Sequence, residues 1–304
     1  MRIGLITSDP GHQLLADTTA LLTPRHDVVA LDPATCDPAT PDALSRGSLA
    51  DVYLLKARTP RALALARLLE RRGAPVVNSA AATGLCQDRT AMAERARRAG
   101  LPFAATRTAA ALGGLTAEGL DGPAVVKSRH SRRHDLVARA DDTAALRALA
   151  ADWPEEPVVV QDFIPNDGWD HKLWVIAGTV FAALRRSELA PGGRGPSLPL
   201  PLGDLPRGWP ELVREVGSVF ALEVYGVDVI DAGGGIPLIV DINAFPGVRG
   251  QVGAPRALAE LALRTAARGA PDRRGGNSAR GGRGAADTLP GFPKPLVGEG
   301  RAAP

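Results

Sequence analysis

The sequence is short of several features that mark common protein classes. It has only two cysteines, Cys36 and Cys86, among 304 residues, which excludes a disulfide framework and a cysteine-based metal site. No run of residues approaches about 18 uninterrupted apolar positions, so we expect no membrane-spanning segment. The first residues enter a strand pattern at once, unlike a signal peptide. Together these absences predict a cytoplasmic enzyme with no membrane partner.

A Gly-x-Gly-x-x-Gly motif is also absent, which excludes a dinucleotide site of that type. The net charge is +3, and residues 269–304 account for all of it with six basic and three acidic side chains. Residues 1–268 are therefore near neutral, and we expect no nucleic-acid partner. Since residues 269–304 are rich in Gly, Arg, Pro and Ala and lack periodic apolar residues, we predict a disordered tail there.

Up to about residue 79, short apolar strand patterns alternate with helical patterns, which predicts a small parallel α/β unit. The strand patterns lie at 2–7, 27–31, 51–56 and 75–78, and the helical patterns at 12–22, 41–47 and 59–73. Thr59 and Pro60 form a helix start, with Thr as N-cap and Pro at the first helical position. With 45% apolar residues, the chain can bury a substantial core.

The stretch that carries most of the chemistry runs from residue 224 to residue 247. It contains two runs rich in β-branched residues on either side of a glycine-rich turn, a pattern that predicts a β-hairpin. A turn centred near Gly234 places Asp228 opposite Val240 or Asp241. Asp241 and Asn243 are two residues apart, so they share one face of the second strand.

Two carboxylates that face each other across a hairpin repel unless a cation lies between them. Carboxylate and amide oxygens are hard ligands that suit Mg²⁺. Asp228, Asp241 and Asn243 are therefore candidate ligands for Mg²⁺ or Mn²⁺. The alternative that spacing leaves open is a hairpin whose acids face water, with Asn243 at the start of a turn.

The run Asp241-Ile-Asn-Ala-Phe-Pro-Gly247, with Gly226-Val-Asp228 on the preceding strand, resembles the metal-binding end of an ATP-grasp domain. The resemblance implies that Asp228, Asp241 and Asn243 hold two metal ions that bridge the phosphates of ATP. Ribosomal-protein glutamate ligases usually have Glu at the position of Asp241. Inositol tris-phosphate kinases, another branch of the superfamily, have Asp there.

The resemblance implies an α/β (α+β) fold with two domains. A small parallel α/β domain of the pre-ATP-grasp type is expected at residues 1–79, and an ATP-grasp domain at residues 80–268. The second domain would divide into an ATP-lid and linker part at about 80–160 and a hinge and metal-binding part at 161–268. Further helices are predicted at 88–100, from Pro210 and from Pro255.

The resemblance also implies a set of ATP contacts. Lys127 ends a buried strand and matches the lysine that contacts the α- and β-phosphates. Residues 161–164 match the hinge strand whose backbone binds adenine. Asp170 and Lys172 match positions near ribose, phosphate or substrate. The predicted ATP-binding residues are Arg89, Lys127, Gln161, Asp162, Phe163, Ile164, Asp170 and Lys172.

Arg89 departs from the family, which usually has lysine there; Arg keeps the charge but changes the geometry. The alternative is an exposed residue in the first turn of a helix that Asp88 caps. A second departure is the loop at residues 128–135, which contains no glycine. Backbone cradling of phosphate is then doubtful, and capture by side chains is the substitute. The candidates for that capture are Arg129, Arg132 and Arg133.

His130 and His134 stand four apart, a spacing that can bind metal on a helix. Because no further ligand follows nearby, we expect a solvated basic loop instead.

Strands are also predicted on both sides of Gly178, at residues 169–178 and 179–187. Arg185 and Arg186 then point to opposite faces. We expect Arg186 to enter the cleft, with Lys172 as the second catalytic candidate. The Pro- and Gly-rich loop at residues 188–208 is too long for a simple connector, and we expect it to cover the acceptor substrate.

Three functions fit these residues. The first is an ATP- and Mg²⁺-dependent carboxylate–amine ligase, which forms an amide through an acyl phosphate and takes small-molecule or peptide substrates. The second is an ATP-grasp kinase that phosphorylates a polyol such as an inositol phosphate. A polyanionic acceptor needs several converging cations, and the covering loop offers mainly Arg194. The third is a non-catalytic nucleotide-binding protein, favoured by Arg89 and the glycine-free loop. We expect the ligase.

Overall fold

The computed structural model describes residues 1–36, 49–132, 134–190, 195 and 197–269. Within these ranges the chain forms three β-sheets, each packed against helices. The predicted helix at 41–47 and, apart from Gly269, the predicted tail at 269–304 lie outside the described residues. In the described part of the chain, no helix is long and apolar enough to cross a membrane.

The first sheet is parallel, with strand order β2-β1-β3-β4. Its strands are β1 (Arg2–Ile6), β2 (Asp27–Leu31), β3 (Val52–Leu55) and β4 (Val76–Val77), and its helices are α1 (Gln13–Leu22), α2 (Pro60–Arg71) and α3 (Ala80–Leu85). Thr59 caps α2 as predicted, because its hydroxyl accepts a hydrogen bond from the Ala62 amide at 3.2 Å. The parallel α/β unit expected in this part of the chain is confirmed.

The second sheet is antiparallel, with strand order β5-β8-β6-β7. Its strands are β5 (Thr106–Ala109), β6 (Ala124–Ser128), β7 (Val137–Ala140) and β8 (Val158–Asp162). Helix α4 (Arg89–Arg98) precedes this sheet and buries Met92 and Ala96 in the core of the third sheet, whereas α5 (Leu112–Glu118) and α6 (Thr143–Asp152) pack on the second sheet itself. Leu112 and Leu146 of α5 and α6 are fully buried against Val126 and Val160. Asp88 caps α4, as predicted, by accepting hydrogen bonds from two first-turn amides.

The third sheet has strand order β11-β10-β9-β12-β13 and is antiparallel throughout. Its strands are β9 (Trp169–Ile176), β10 (Thr179–Arg186), β11 (Ser197–Pro199), β12 (Val224–Asp231) and β13 (Pro237–Ala244); α7 (Trp209–Phe220) packs on it. Leu173 and Val175 of β9 lie in the core beneath α7 with Val213. Because strand side chains alternate, Lys172 and Trp174 project from the opposite face. That second face lines the cleft described below.

The last helix, α8 (Ala254–Arg268), lies between the first and third sheets. Leu258, Leu261 and Ala262 are buried, as predicted, in one cluster with residues of α1 and β1. Asn78, just after β4, accepts hydrogen bonds from the amides of Glu223 and Val224 at 2.8 and 3.0 Å. These contacts fix the start of β12 against the first sheet.

The described residues belong to one compact unit. The first sheet and its strands end at residue 77, but the domain boundary at residue 79 and the division of residues 80–268 stay predictions. The predicted covering loop at 188–208 contains β11 and a short 3-10 helix, Leu202–Asp204. Arg194 lies outside the described residues.

Candidate active site

A cavity of about 1250 Å³ opens between the three sheets. The first sheet contributes the end of β3, the second sheet contributes β6, β8 and the loop after β6, and the third contributes β9, β10, β12 and β13. Among the described residues that were predicted to bind ATP or metal or to act in catalysis, only Arg186 is absent from its lining. The residues that line it are Arg89, Lys127, Gln161, Asp162, Phe163, Ile164, Asp170, Lys172, Asp228, Asp241 and Asn243.

Strand register brings the predicted metal ligands together. Asp228 of β12 pairs directly with Asp241 of β13 and, on its other side, with Lys172 of β9. The next row on the same face contains Asn243, which pairs with Gly226. We call this surface, made by Asp170, Lys172, Asp228, Asp241 and Asn243, the metal face. The hairpin and its predicted pairing are confirmed, whereas metal binding stays a proposal.

A β-bulge interrupts β13 beside this row. Asp228 pairs with Asp241 but the next residue, Val229, pairs with Ile239, so Val240 is an extra residue. Val240 lines the cleft, and its carbonyl accepts a hydrogen bond from Lys127 Nζ at 2.8 Å. The bulge therefore connects the lysine of the second sheet to the metal face of the third.

Each carboxylate of the metal face has a cation beside it. Lys172 Nζ lies 2.6 Å from Asp228 Oδ2 and 3.4 Å from Asp170 Oδ2. Arg185 Nη2 lies 3.7 Å from Asp170 Oδ2, and Arg89 Nη2 lies 3.6 Å from Asp241 Oδ2. Opposite charges at these distances attract one another, so the side chains of the metal face hold one another in place.

Arg89 is buried, which rules out the alternative of an exposed first-turn residue. Its Nη1 donates to the Ser128 carbonyl at 2.7 Å and to Asp135 Oδ2 at 2.8 Å. Burial opposes its charge, but Asp241 and Asp135 outweigh burial and raise the pKa of Arg89. The guanidinium is therefore held as a cation at the inner end of the cleft, where the resemblance expects phosphate.

Lys127 is also buried, and it lies at the same end of the cleft. Burial lowers the pKa of its ammonium group, and the cations of Arg89 and Lys172 act in the same direction. Asp241 and Asp228 act against them. A phosphate group close to Lys127 would favour the charged form further, because an opposite charge stabilises the ammonium.

The glycine-free loop is fixed by its own ion pairs. Arg129 Nη2 donates to Asp88 Oδ2 at 2.7 Å, and the two guanidinium Nη atoms of Arg132 donate to Glu156 at 2.6 and 2.8 Å. Arg132 lines the cleft and Arg129 does not. Arg133 lies outside the described residues. The two described arginines expected to capture phosphate are thus already engaged with carboxylates.

The hinge residues line the cleft beyond Lys127. Gln161 is buried and donates to Thr106 Oγ1 at 3.1 Å, whereas Asp162 is exposed. The Phe163 amide donates to the Pro123 carbonyl at 2.9 Å. The Arg139 guanidinium stacks over the Phe163 ring at 3.8 Å. Adenine binding by this backbone stays a prediction.

The structure reverses the sequence-based choice between Arg185 and Arg186. β9 and β10 pair through a turn at Ala177 and Gly178, both with positive φ. Counting back from this turn puts Arg185 directly opposite Asp170, on the metal face, while Arg186 is exposed and does not line the cleft. A two-residue turn predicted at Ala177-Gly178 would have given this pairing from sequence.

Sequence reasoning missed a second group of cations in the cleft. Lys56 follows β3, Arg58 lies two residues later, and Arg249 follows the Phe-Pro-Gly motif. We call these three residues the basic wall. His12, the N-cap of α1, lies beside them. The available signal was that Lys56 ends a parallel strand, at the sheet edge where α/β proteins bind ligands.

The metal face fits the chemistry of Mg²⁺. Asp228 and Asp241 offer carboxylate oxygens and Asn243 an amide oxygen, all hard ligands on adjacent strands. Among the described residues, no three His, Cys, Asp or Glu side chains form a metal-binding group. The trio therefore depends on the amide of Asn243 as its third ligand, and His130 and His134 stay part of a basic loop.

Comparisons with known proteins bear on the fold. No protein-family model and no curated protein matches the sequence. A RimK domain ATP-grasp protein from Sphaerobacter thermophilus is 25% identical, over 86% of this chain and 99% of its own, with a TM-score of 0.70. D-alanine–D-alanine ligase from Bacillus anthracis is 17% identical, over 88% of this chain and 98% of its own, with a TM-score of 0.66. The chain has an ATP-grasp fold.

A third ATP-grasp protein supports the same fold at low identity. The ATP-grasp ligase PsnB, solved with its minimal precursor, Mg and ADP, is 16% identical, over 87% of this chain and 97% of its own, with a TM-score of 0.63. The ATP-grasp fold predicted from the hairpin motif is confirmed. Its N-terminal parallel sheet forms the wall of the cleft that carries Lys56.

Proposed function

We propose that this chain is an ATP- and Mg²⁺-dependent carboxylate–amine ligase. It would transfer the γ-phosphoryl group of ATP to a substrate carboxylate and let an amine displace phosphate from the acyl phosphate, which leaves an amide, ADP and phosphate. The ATP-grasp fold supports this proposal, because D-alanine–D-alanine ligase and PsnB are ligases with the same fold. The substrates would be small molecules or peptides that carry the carboxylate and the amine.

The observation that carries the proposal is the arrangement of Asp228, Asp241 and Asn243 on one sheet face, with Lys127 directed at the same point from another sheet. Two carboxylates and an amide offer a divalent cation hard oxygen ligands from two adjacent strands. When bound, Mg²⁺ would supply charge neutralisation for the transferring phosphoryl group.

The other charged side chains of the cleft would bind the phosphates of ATP, position the metal-binding carboxylates and contact the substrate. Lys127 and Arg89 would donate hydrogen bonds to phosphate oxygens from two sides, and their burial strengthens those charged contacts. Lys172 would stay between Asp170 and Asp228, where it holds both carboxylates in place. Arg185 lines the cleft beside Asp170 and would contact the acyl phosphate.

A second candidate function is a kinase that acts on a polyol phosphate. Two observations favour it: Asp rather than Glu stands at position 241, and the basic wall supplies converging cations that the covering loop was expected to provide. The kinase would need the same ATP site but a hydroxyl acceptor and no amine. A non-catalytic nucleotide-binding protein would bind ATP without turnover.

Phosphate release from ATP, measured with pooled carboxylates, amines and inositol phosphates, separates these functions. We expect release only when a carboxylate and an amine are both present, and a loss of at least about 100-fold in Asp241→Asn, which removes one charged ligand of the metal trio. Asp152→Asn, an exposed change at the end of α6, is the matched control. A phosphorylated polyol formed without amine would replace the ligase by the kinase, and full turnover by Asp241→Asn would contradict both.

A further inference from the structure

The basic wall is the part of the cleft that the proposed chemistry leaves unused. Most cations that line the cleft have a carboxylate within 4.0 Å; these are Arg89, Arg132, Arg139, Lys172 and Arg185. Among the described residues, Lys127, Lys56, Arg58 and Arg249 line the cleft without one. Lys127 is directed at the proposed phosphate site. The other three lie on the side of the cleft formed by the end of β3 and the segment that follows Asn243.

The cations of the basic wall act on one another. Burial lowers the pKa of Lys56 to about 8, and the neighbouring charges of Arg58 and Arg249 act in the same direction. His12 responds to the same field, because burial, Lys56 and Arg249 lower its pKa. Asp9 opposes both shifts but is exposed. Like charges held together in a partly buried cleft cost stability unless an anion joins them.

The basic wall lies directly beside the metal face. Lys56 Nζ is 3.4 Å from the carbonyl oxygen of Phe245, only two residues after Asn243. Arg249 follows on the same segment. Gly247 lies between Phe245 and Arg249 in the chain, and its lack of a side chain leaves space beside His12 and Arg249. A Cβ atom at Gly247 would lie 3.0 Å from His12 Nε2 and 3.8 Å from Arg249 Nε. One small molecule can therefore reach both surfaces.

We propose that the basic wall binds a second anionic group of the carboxylate substrate, which makes that substrate a dicarboxylate or a carboxylate that also carries a phosphate. This inference rests on the proposed ligase function. One carboxylate of the substrate reacts at the metal face. The second anion accepts charge-assisted hydrogen bonds from Lys56 and Arg249, while Arg58, which also donates to Ser131 Oγ at 3.3 Å, adds its charge from the rim.

The test is calorimetric titration of the full chain, loaded with Mg²⁺ and a non-hydrolysable ATP analogue. The probes are glutarate, 4-phosphonobutyrate and butyrate, which share a short carbon chain but differ in the second anion. We expect at least one dianion to bind about tenfold or more tightly than butyrate, the effect of one charge-assisted contact. The stronger of the two dianions identifies the second group as carboxylate or phosphate.

Lys56→Met and Arg249→Met should each abolish this preference while the ATP analogue still binds. Arg256→Met is the matched control, since Arg256 is exposed on α8 and pairs with Glu260. The proposal is overturned if neither dianion binds better than butyrate, if neither binds at millimolar concentration, or if the preference survives in both wall variants.

The outcome also separates this inference from the ligase itself. A dianion preference that depends on Lys56, without amide formation from any carboxylate, would retain the anion site and reject the ligase. Amide formation from butyrate and glutarate with equal efficiency would retain the ligase and reject the anion site.

Discussion

The metal face and the basic wall line the same cleft, yet they differ in how their charges are neutralised. On the metal face, Asp228, Asp170 and Asp241 each have a cation within 4.0 Å, supplied by Lys172, Arg185 or Arg89. On the basic wall, the described residues place no carboxylate within that distance of Lys56, Arg58 or Arg249. The charges of the metal face are neutralised within the protein, whereas those of the basic wall are neutralised only when an anion binds.

The paired charges of the metal face stabilise the fold, whereas the unpaired cations of the basic wall are available to bind a ligand. A buried ion pair costs stability when one partner is removed, because the other charge is left alone. An unpaired cation in a cleft already destabilises the fold. Its removal should therefore raise the free energy of unfolding and weaken ligand binding. Three substitutions test this contrast, beginning with the largest expected effect.

Lys172→Met should destabilise the protein by about 3 kcal/mol, because it leaves Asp228 and Asp170 without their shared cation. Lys56→Met, which removes a lysine from the basic wall instead, should not lower the free energy of unfolding. Urea unfolding of both variants measures the two free energies of unfolding. Equal destabilisation by both would remove the distinction between the two surfaces.

Arg185→Met should lower kcat of the proposed ligase about tenfold to 100-fold, because Arg185 faces the cleft from the row of Asp170. Arg186→Met, one residue away on the exposed side of β10, should change kcat by less than about twofold. Steady-state kinetics at saturating ATP compares the pair. A larger effect at Arg186 would restore the original sequence-based choice.

Lys56→Met should also change the pH dependence of stability. The pKa of Lys56 is about 8 in the folded chain and about 10.4 in an unfolded chain. Between these values the unfolded chain holds a proton that the folded chain has released, so this group makes stability rise with pH. The charged form destabilises the fold below pH 8, by about 1 kcal/mol after solvent screening.

Lys56→Met should therefore be more stable than the unsubstituted protein at pH 7, and the difference should disappear as the pH approaches about 10. Thermal unfolding of both proteins across this range measures the difference, with Arg256→Met as the variant that should show no such trend. A constant difference would mean that Lys56 is not the titrating group.

Sequence patterns predicted that Asp228 lies opposite Val240 or Asp241, because the geometry of a hairpin is local. Asp228 and Asp241 belong to one hairpin, and the glycine-rich turn between them fixes their pairing. The capping side chains of Thr59 and Asp88 were predictable for the same reason, since each acts on the helix that follows it. The ATP-binding residues from Arg89 to Lys172 came from the family resemblance, and their common cleft agrees with it.

The basic wall was not predictable in the same way, because it joins distant parts of the chain. Lys56 follows β3 and Arg249 precedes α8, and only the packing of α8 between two sheets brings them together. The pairing of Arg129 with Asp88 and of Arg132 with Glu156 also joins separate elements. No spacing rule within one element could have given these contacts.

The β-bulge at Val240 constrains the number of residues in β13 more than their identity. Ile239 and Ile242, three residues apart, both lie in the core because the bulge offsets the usual alternation. Deleting one residue here would exchange the buried and cleft-facing sides of the strand on one side of the bulge. Lys127, however, donates its hydrogen bond to the main-chain carbonyl of Val240, which every amino acid provides. At position 240 we therefore expect an insertion or a deletion to disrupt the strand, and many amino-acid substitutions to be tolerated.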